Sequence, residues 1–84
     1  MTYAVEILRS AQKQLSKIDS QDQPRIIAAI KSLAENPRPP GCKKLSGRPA
    51  WRLRIGSYRV IYEIDDNHLR VLVVATGHRK EIYK

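Results

Sequence analysis

"WRLRIGSYRVIYEI", residues 51–64, reads as two short strands joined at Gly56-Ser57. A two-residue loop fixes the antiparallel partners: Ile55 faces Tyr58, Arg54 faces Arg59, Leu53 faces Val60, Arg52 faces Ile61 and Trp51 faces Tyr62. Arg54 therefore stands directly opposite Arg59, with Arg52 on the same sheet face. Like charges directly opposite one another are destabilising, so stability alone would not gather these arginines. An anion bound between them would turn the repulsion into attraction, which makes this face the first place to look for function.

The chain has 84 residues, the size of one small domain spanning residues 1–84. Sixteen Lys and Arg against eight Asp and Glu give a formal charge of +8, which points to a polyanion or an acidic partner. The excess is concentrated. Between Asn36 and Tyr62 there are seven basic residues, Arg38, Lys43, Lys44, Arg48, Arg52, Arg54 and Arg59, and no acid. No apolar run reaches signal-peptide or membrane-span length, so a cytoplasmic protein with no membrane contact is expected. The one cysteine, Cys42, cannot form an internal disulfide and reads as a small loop residue.

Around the hairpin the remaining elements follow from periodicity. "YAVEIL" alternates Tyr3, Val5 and Ile7 against Ala4, Glu6 and Leu8, the pattern of a half-buried strand. Ser10 is placed to cap a helix whose Ala11, Leu15 and Ile18 form one stripe. Ser20 with Gln23 has capping-box spacing, and Pro24 fits the first turn of a second helix carrying Ile26, Ile27, Ile30, Leu33 and Ala34. With so short a link the helices should pack as an antiparallel hairpin. "NPRPPGCKKLSGRP" is rich in Pro and Gly and reads as a loop crossing to the sheet.

A second two-residue turn at Asp66-Asn67 would pair Ile64 with Leu69, Glu63 with Arg70, Tyr62 with Val71, Ile61 with Leu72 and Val60 with Val73. The helix-facing side then carries Trp51, Leu53, Ile55, Tyr58, Val60, Tyr62, Ile64, Leu69, Val71 and Val73. The expected class is α+β: a β-α-α-β-β-β domain with the helix hairpin on one face of a mostly antiparallel four-stranded sheet and a short C-terminal tail or helix. The other face carries Arg52, Arg54, Arg59 and a Glu63–Arg70 surface pair. Ile61, Leu72 and Val74 add an exposed apolar strip there, the kind of surface that receives another protein. His68 is expected to be exposed polar surface.

This order of elements, "KKLSGRPAWRLRIGSYRVIYEID" and the terminal "GHRKEIY" resemble the RelE/ParE superfamily of toxin–antitoxin toxins over essentially the whole chain. No motif for a nucleotide, a metal or a hydrolase triad competes, and the resemblance implies no cofactor. It implies one of two activities. The RelE-like branch cuts mRNA in the ribosomal A site; the ParE-like branch inhibits DNA gyrase without cutting RNA. Arg52, Arg54, Arg59, Arg79 and Tyr83 match the positions that the resemblance assigns to RelE-like catalysis, which favours a ribonuclease. It also implies partners: the ribosome with its mRNA, and an acidic RelB-like antitoxin encoded by a neighbouring gene, for which Ile61, Leu72 and Val74 are the expected surface.

The chemistry asks for these residue types. When a 2′-hydroxyl attacks the adjacent phosphate, charge builds on the non-bridging oxygens, and preorganised guanidinium groups stabilise it through paired hydrogen bonds. Some RelE-like toxins carry lysines where this chain has Ala50 and Arg52, and arginine hardly ever releases its proton. The general base is therefore open among His78, Tyr83, Lys43 and Lys44, and Tyr83 could equally stack on an RNA base. Lys43, Lys44 and Arg48 extend the basic surface as candidate contacts to RNA or ribosome.

Overall fold

The Gly56-Ser57 turn forms as its residues require. Gly56 has φ +59 while Ser57 stays at negative φ, the pattern of a type II′ turn with glycine first, whose twist matches that of the strands it joins. The computed structural model describes residues 2–78. It contains β1 (Ala4–Ile7), α1 (Arg9–Ser16), α2 (Gln23–Ser32), β2 (Lys43–Lys44), β3 (Trp51–Ile55), β4 (Tyr58–Asp65) and β5 (Arg70–His78). The sheet order is β1-β5-β4-β3-β2, with β1 parallel to β5 and the other pairs antiparallel. The fold is α+β as expected, with five strands rather than four. The fifth is β2, which lies inside the stretch that composition alone marks as loop.

Both helices cover one face of the sheet. Ala11 and Ile18 from α1 and its C-terminal extension, with Ile26, Ile30 and Leu33 from α2, pack against Leu53, Val60, Tyr62, Val71 and Val73. Each fully buried side chain of this size contributes roughly 1.5–3 kcal/mol relative to exposure. Because side chains alternate along a strand, this dry face forces Arg52, Arg54 and Arg59 onto the other.

The helix starts differ from the expected caps. Leu8 is the N-cap of α1 because its N–H is drawn into the sheet by the Val73 carbonyl at 2.9 Å, so the helix begins before Ser10 can cap it. Asp22, not Ser20, precedes α2. Gln23 turns its amide back to donate to the Ile18 carbonyl at 2.8 Å, satisfying an acceptor left over at the end of the first helix.

The β4–β5 register also differs. Asp65 pairs with Arg70, Ile64 with Val71, Glu63 with Leu72 and Tyr62 with Val73, so the connection is a four-residue turn rather than two. A type I′ turn at Asp66-Asn67 would need positive φ at both, whereas only Leu69 adopts it, at φ 51. The Asp65 carboxylate holds the longer turn by accepting the Asn67 and His68 amides at 3.1 and 3.2 Å. The slip is two residues, so Val71 and Val73 still face the helices. A bulge between Ile61 and Tyr62 then leaves Val74 without a counterpart and brings Thr76 opposite Val60, into the core. Thr76 is fully buried, its hydroxyl donating to the Ala11 carbonyl at 3.0 Å and its N–H to Gln14 Oε1 at 2.9 Å.

Gly56→Ala should lower stability by about 1 kcal/mol, because alanine resists the left-handed conformation the turn imposes. Denaturant unfolding of the two proteins measures the difference.

Candidate active site

The sheet face opposite the helices is built in rows. Lys43, Arg52, Ile61 and Ala75 lie side by side across β2, β3, β4 and β5, and the next row holds Arg54, Arg59 and Gly77. The hairpin register predicted from the sequence is the one observed, and Arg54 does face Arg59. Arg54 is exposed, while Arg52 and Arg59 are half-buried. Among the described residues Arg54, Lys43, Lys44 and Arg48 take part in none of the ion pairs. Lys43 joins the arginines because β2 places it beside Arg52. Lys44 shares a row with Trp51, which turns it to the other side of the sheet, and Arg48 stays exposed in the loop that follows.

His78 is not on this face. It pairs with Tyr58 on the side of the helices, and its ring meets the Tyr58 ring edge-on at 5.9 Å. One residue of alternation separates it from Gly77, which borders Arg59, so the strand directs the imidazole away from the arginines. Arg79 and Tyr83 lie outside the described residues. Of the candidate bases that are described, Lys43 alone shares the face of Arg52, Arg54 and Arg59.

The other end of the face is acidic where an apolar strip was expected. Ile61 is only 3% exposed, held in the central strand between Arg52 and Ala75, and so offers no surface to a partner. Leu72 is half-buried between Glu63 of β4 and Glu6 of β1, and Val74 is half-buried at the bulge. The two-residue slip also breaks the expected Glu63–Arg70 pair: Arg70 is bound to Glu6 across the β1–β5 junction. A groove of about 320 Å³ lies here, lined by Glu6, Glu63, Asp65, Arg70 and Leu72 among others.

The loop between α2 and β3 is fastened to the sheet by aromatic and ionic contacts. Arg38 forms a forked pair with Asp66 (2.9 and 3.2 Å) and lies 5.1 Å over the Trp51 ring. The Tyr3 hydroxyl donates to the same carboxylate at 2.7 Å. Beneath them the buried Tyr62 hydroxyl donates to the Pro37 carbonyl at 2.8 Å, and burial raises its pKa well above the usual phenol range. These contacts fix the approach of the chain to β2 and hence the place of Lys43.

The family profile described as ParE toxin of type II toxin-antitoxin system, parDE, matches residues 5–83. The chain belongs to this superfamily of type II toxins, the RelE/ParE superfamily. It is 33% identical to Toxin RelG of Mycobacterium tuberculosis, over all of this chain and 99% of that one. Among solved structures, a free mutant of Escherichia coli toxin RelE superposes with a TM-score of 0.80 at 26% identity, covering 99% of this chain and 88% of that one. The RelE-RelB complex of Pyrococcus horikoshii gives 0.83 at 26% identity, covering 96% and 99%. These neighbours are RelE toxins, two of the others likewise seen with their antitoxins.

In this RelE/ParE toxin, one cation with no role in the sequence reading comes close to the site. Arg25, in the first turn of α2, lies against the β3–β4 turn: a Cβ built on Gly56 would stand 2.5 Å from its Nη2. Nothing in the spacing of α2 announces this, because the contact is made across 31 residues of chain.

The Asp66 carboxyl is held down at about 2, first by the hydrogen bonds from Arg38 and then by that from Tyr3. Its folded pKa lies below the ordinary value near 3.9, so its contribution is complete above about pH 5 and is lost as pH falls toward 2. Melting temperature followed from pH 6 down to about 2 should therefore fall more steeply in the native sequence than in Asp66→Asn.

Proposed function

We propose that this toxin is a ribosome-dependent endoribonuclease that cuts mRNA in the A site. The observation that carries the reading is the pairing of Arg54 with Arg59 on the sheet face away from the helices, which also holds Arg52 and Lys43. Removal of the 2′-hydroxyl proton lets that oxygen bond to the adjacent phosphorus while the bond to the 5′-oxygen breaks. The products are a 2′,3′-cyclic phosphate and a 5′-hydroxyl, the leaving oxygen taking up a proton. The arginines bind the non-bridging oxygens and stabilise the charge that grows there, acting where they stand without reorganisation. Lys43, beside Arg52, is the group placed to exchange protons with the reacting oxygens. Arg79 and Tyr83 belong to this proposal on the strength of the sequence motif alone.

Gyrase inhibition is the competing reading, favoured by the name of the matching family and by arginine where lysine stands in some RelE-like toxins. Mapping cuts on ribosome-bound mRNA decides between them: A-site cuts support the nuclease, and their absence together with accumulated gyrase-cleaved DNA overturns it. Arg54→Ala should reduce cleavage about 100-fold, the scale seen when one preorganised donor to a developing oxyanion is removed. Its melting temperature should be unchanged or slightly higher, because one of two opposed charges is gone.

Neutralisation by a RelB-type antitoxin is the second part of the proposal, supported by the neighbours that are complexes of that kind. The carboxylates around Leu72 disfavour an acidic partner there. A groove of about 310 Å³ between α2 and the edge strand β1 suits it better, lined by Val5, Ile7, Ile27, Ile30, Lys31 and Ala34. An amphipathic antitoxin segment would cover these apolar side chains and set a carboxylate against Lys31. Ile27→Glu should weaken the toxin–antitoxin complex at least tenfold, or by about 1.4 kcal/mol, while leaving mRNA cleavage intact; titration calorimetry beside the cleavage assay reads both.

A further inference from the structure

The face that carries Arg54 and Arg59 ends at the Gly56-Ser57 turn, and Arg25 waits on the far side of that turn. Its guanidinium occupies the space above Gly56 that any side chain at position 56 would fill, Nη2 and Cζ standing 2.5 and 3.7 Å from a Cβ built there. Three features separate Arg25 from an ordinary surface arginine. It lies in the first turn of α2, where the helix dipole favours an acid and no acidic residue is present. Asp22, one turn earlier and the natural local partner, is outside ion-pair distance, and Arg25 enters none of the ion pairs among the described residues. The residue it rests on has no side chain, which lets the guanidinium lie against the strand connection itself.

We propose that Arg25 continues the cationic path of the sheet face round the β3–β4 turn, gripping a backbone phosphate of the RNA strand outside the cleaved linkage. The inference rests on the ribonuclease reading and deepens it by giving the bound strand a direction: from Lys43 and Arg52, across Arg54 and Arg59, over the turn to Arg25. A guanidinium suits this task because it stays charged and meets two phosphate oxygens at once. Arg25 touches no reacting atom in this arrangement. It is a positioning residue that holds the strand in register.

The test uses the full chain and a single-stranded RNA of about 12 nucleotides, fully 2′-O-methylated so that it binds without being cut. Affinity is read by fluorescence anisotropy between about 50 and 200 mM salt. Arg25→Gln should weaken binding about threefold to tenfold and reduce the slope of log affinity against log salt by about one, the signature of a lost phosphate contact. Arg25→Lys should restore most of the slope. A methylated dinucleotide, too short to pass the turn, should bind the native and Arg25→Gln proteins equally.

Lys13→Gln removes the same charge from the exposed side of α1 and should leave the slope unchanged. An equal loss for Lys13→Gln and Arg25→Gln would mean that net charge alone is felt, and the proposal fails. It fails too if Arg25→Gln binds the long strand like the native protein, or if the dinucleotide shows the whole loss. If the native protein cuts mRNA on the ribosome while Arg25 proves indifferent, this inference alone is lost. If the native protein neither binds nor cuts RNA, the ribonuclease reading falls and takes this one with it.

Discussion

Everything at the candidate site depends on the β3–β4 register. A type II′ turn of two residues leaves the strands no freedom to slide, and a slip of one residue would carry Leu53, Val60 and Tyr62 out of the core and the arginines into it. The burial of those apolar side chains is worth several kcal/mol, far more than the few tenths lost by opposing Arg54 to Arg59. The dry face therefore dictates the charged one. Repulsion between the arginines is tolerated because the register that causes it is the register that buries the core.

The charge of the face away from the helices is sorted along its length. Lys43, Arg52, Arg54 and Arg59 gather toward β2 and the hairpin turn, while Glu6, Glu63 and Asp65 gather toward β1, with Arg70 held by Glu6. A polyanion crossing this face is drawn to one end and repelled from the other, which confines its path without any further wall. Two aspartates also do structural work. Asp66 fastens the long loop through Arg38 and Tyr3, and Asp65 shapes the β4–β5 turn through two backbone amides and His68.

The same architecture serves toxins of more than one activity, so membership of the superfamily fixes the scaffold and leaves the chemistry to individual side chains. Among the described residues the candidate side chains Lys43, Arg52, Arg54 and Arg59 all sit on strands. The α1–β5 contact made by Thr76 and Gln14 anchors β5 just before Gly77, the residue that borders Arg59. Gly77 beside Arg59 and Ala75 beside Ile61 put little side-chain bulk on β5 in these two rows, although Gly77 and Ile61 are themselves buried.

The hairpin, the helix stripes and the pairing of Arg54 with Arg59 were legible in the sequence because each is set by contacts within a few residues of one another: a glycine turn, a period of two, a period of 3.6. The faces of Val71 and Val73 were legible as well, since a two-residue slip conserves sidedness. Other features were not. The edge strand at Lys43-Lys44 exists only because β3 offers it a partner, and the Pro-rich stretch around it carries no strand signal of its own. The bulge at Val74 is forced by the packing of Thr76 on α1. It decides that His78 turns toward Tyr58 and away from the arginines. The seclusion of Ile61 follows from its place in the central strand, and the approach of Arg25 to Gly56 from the packing of a helix across the end of a hairpin. Local periodicity determines which way a side chain faces; only the assembled sheet and helices decide what it meets there.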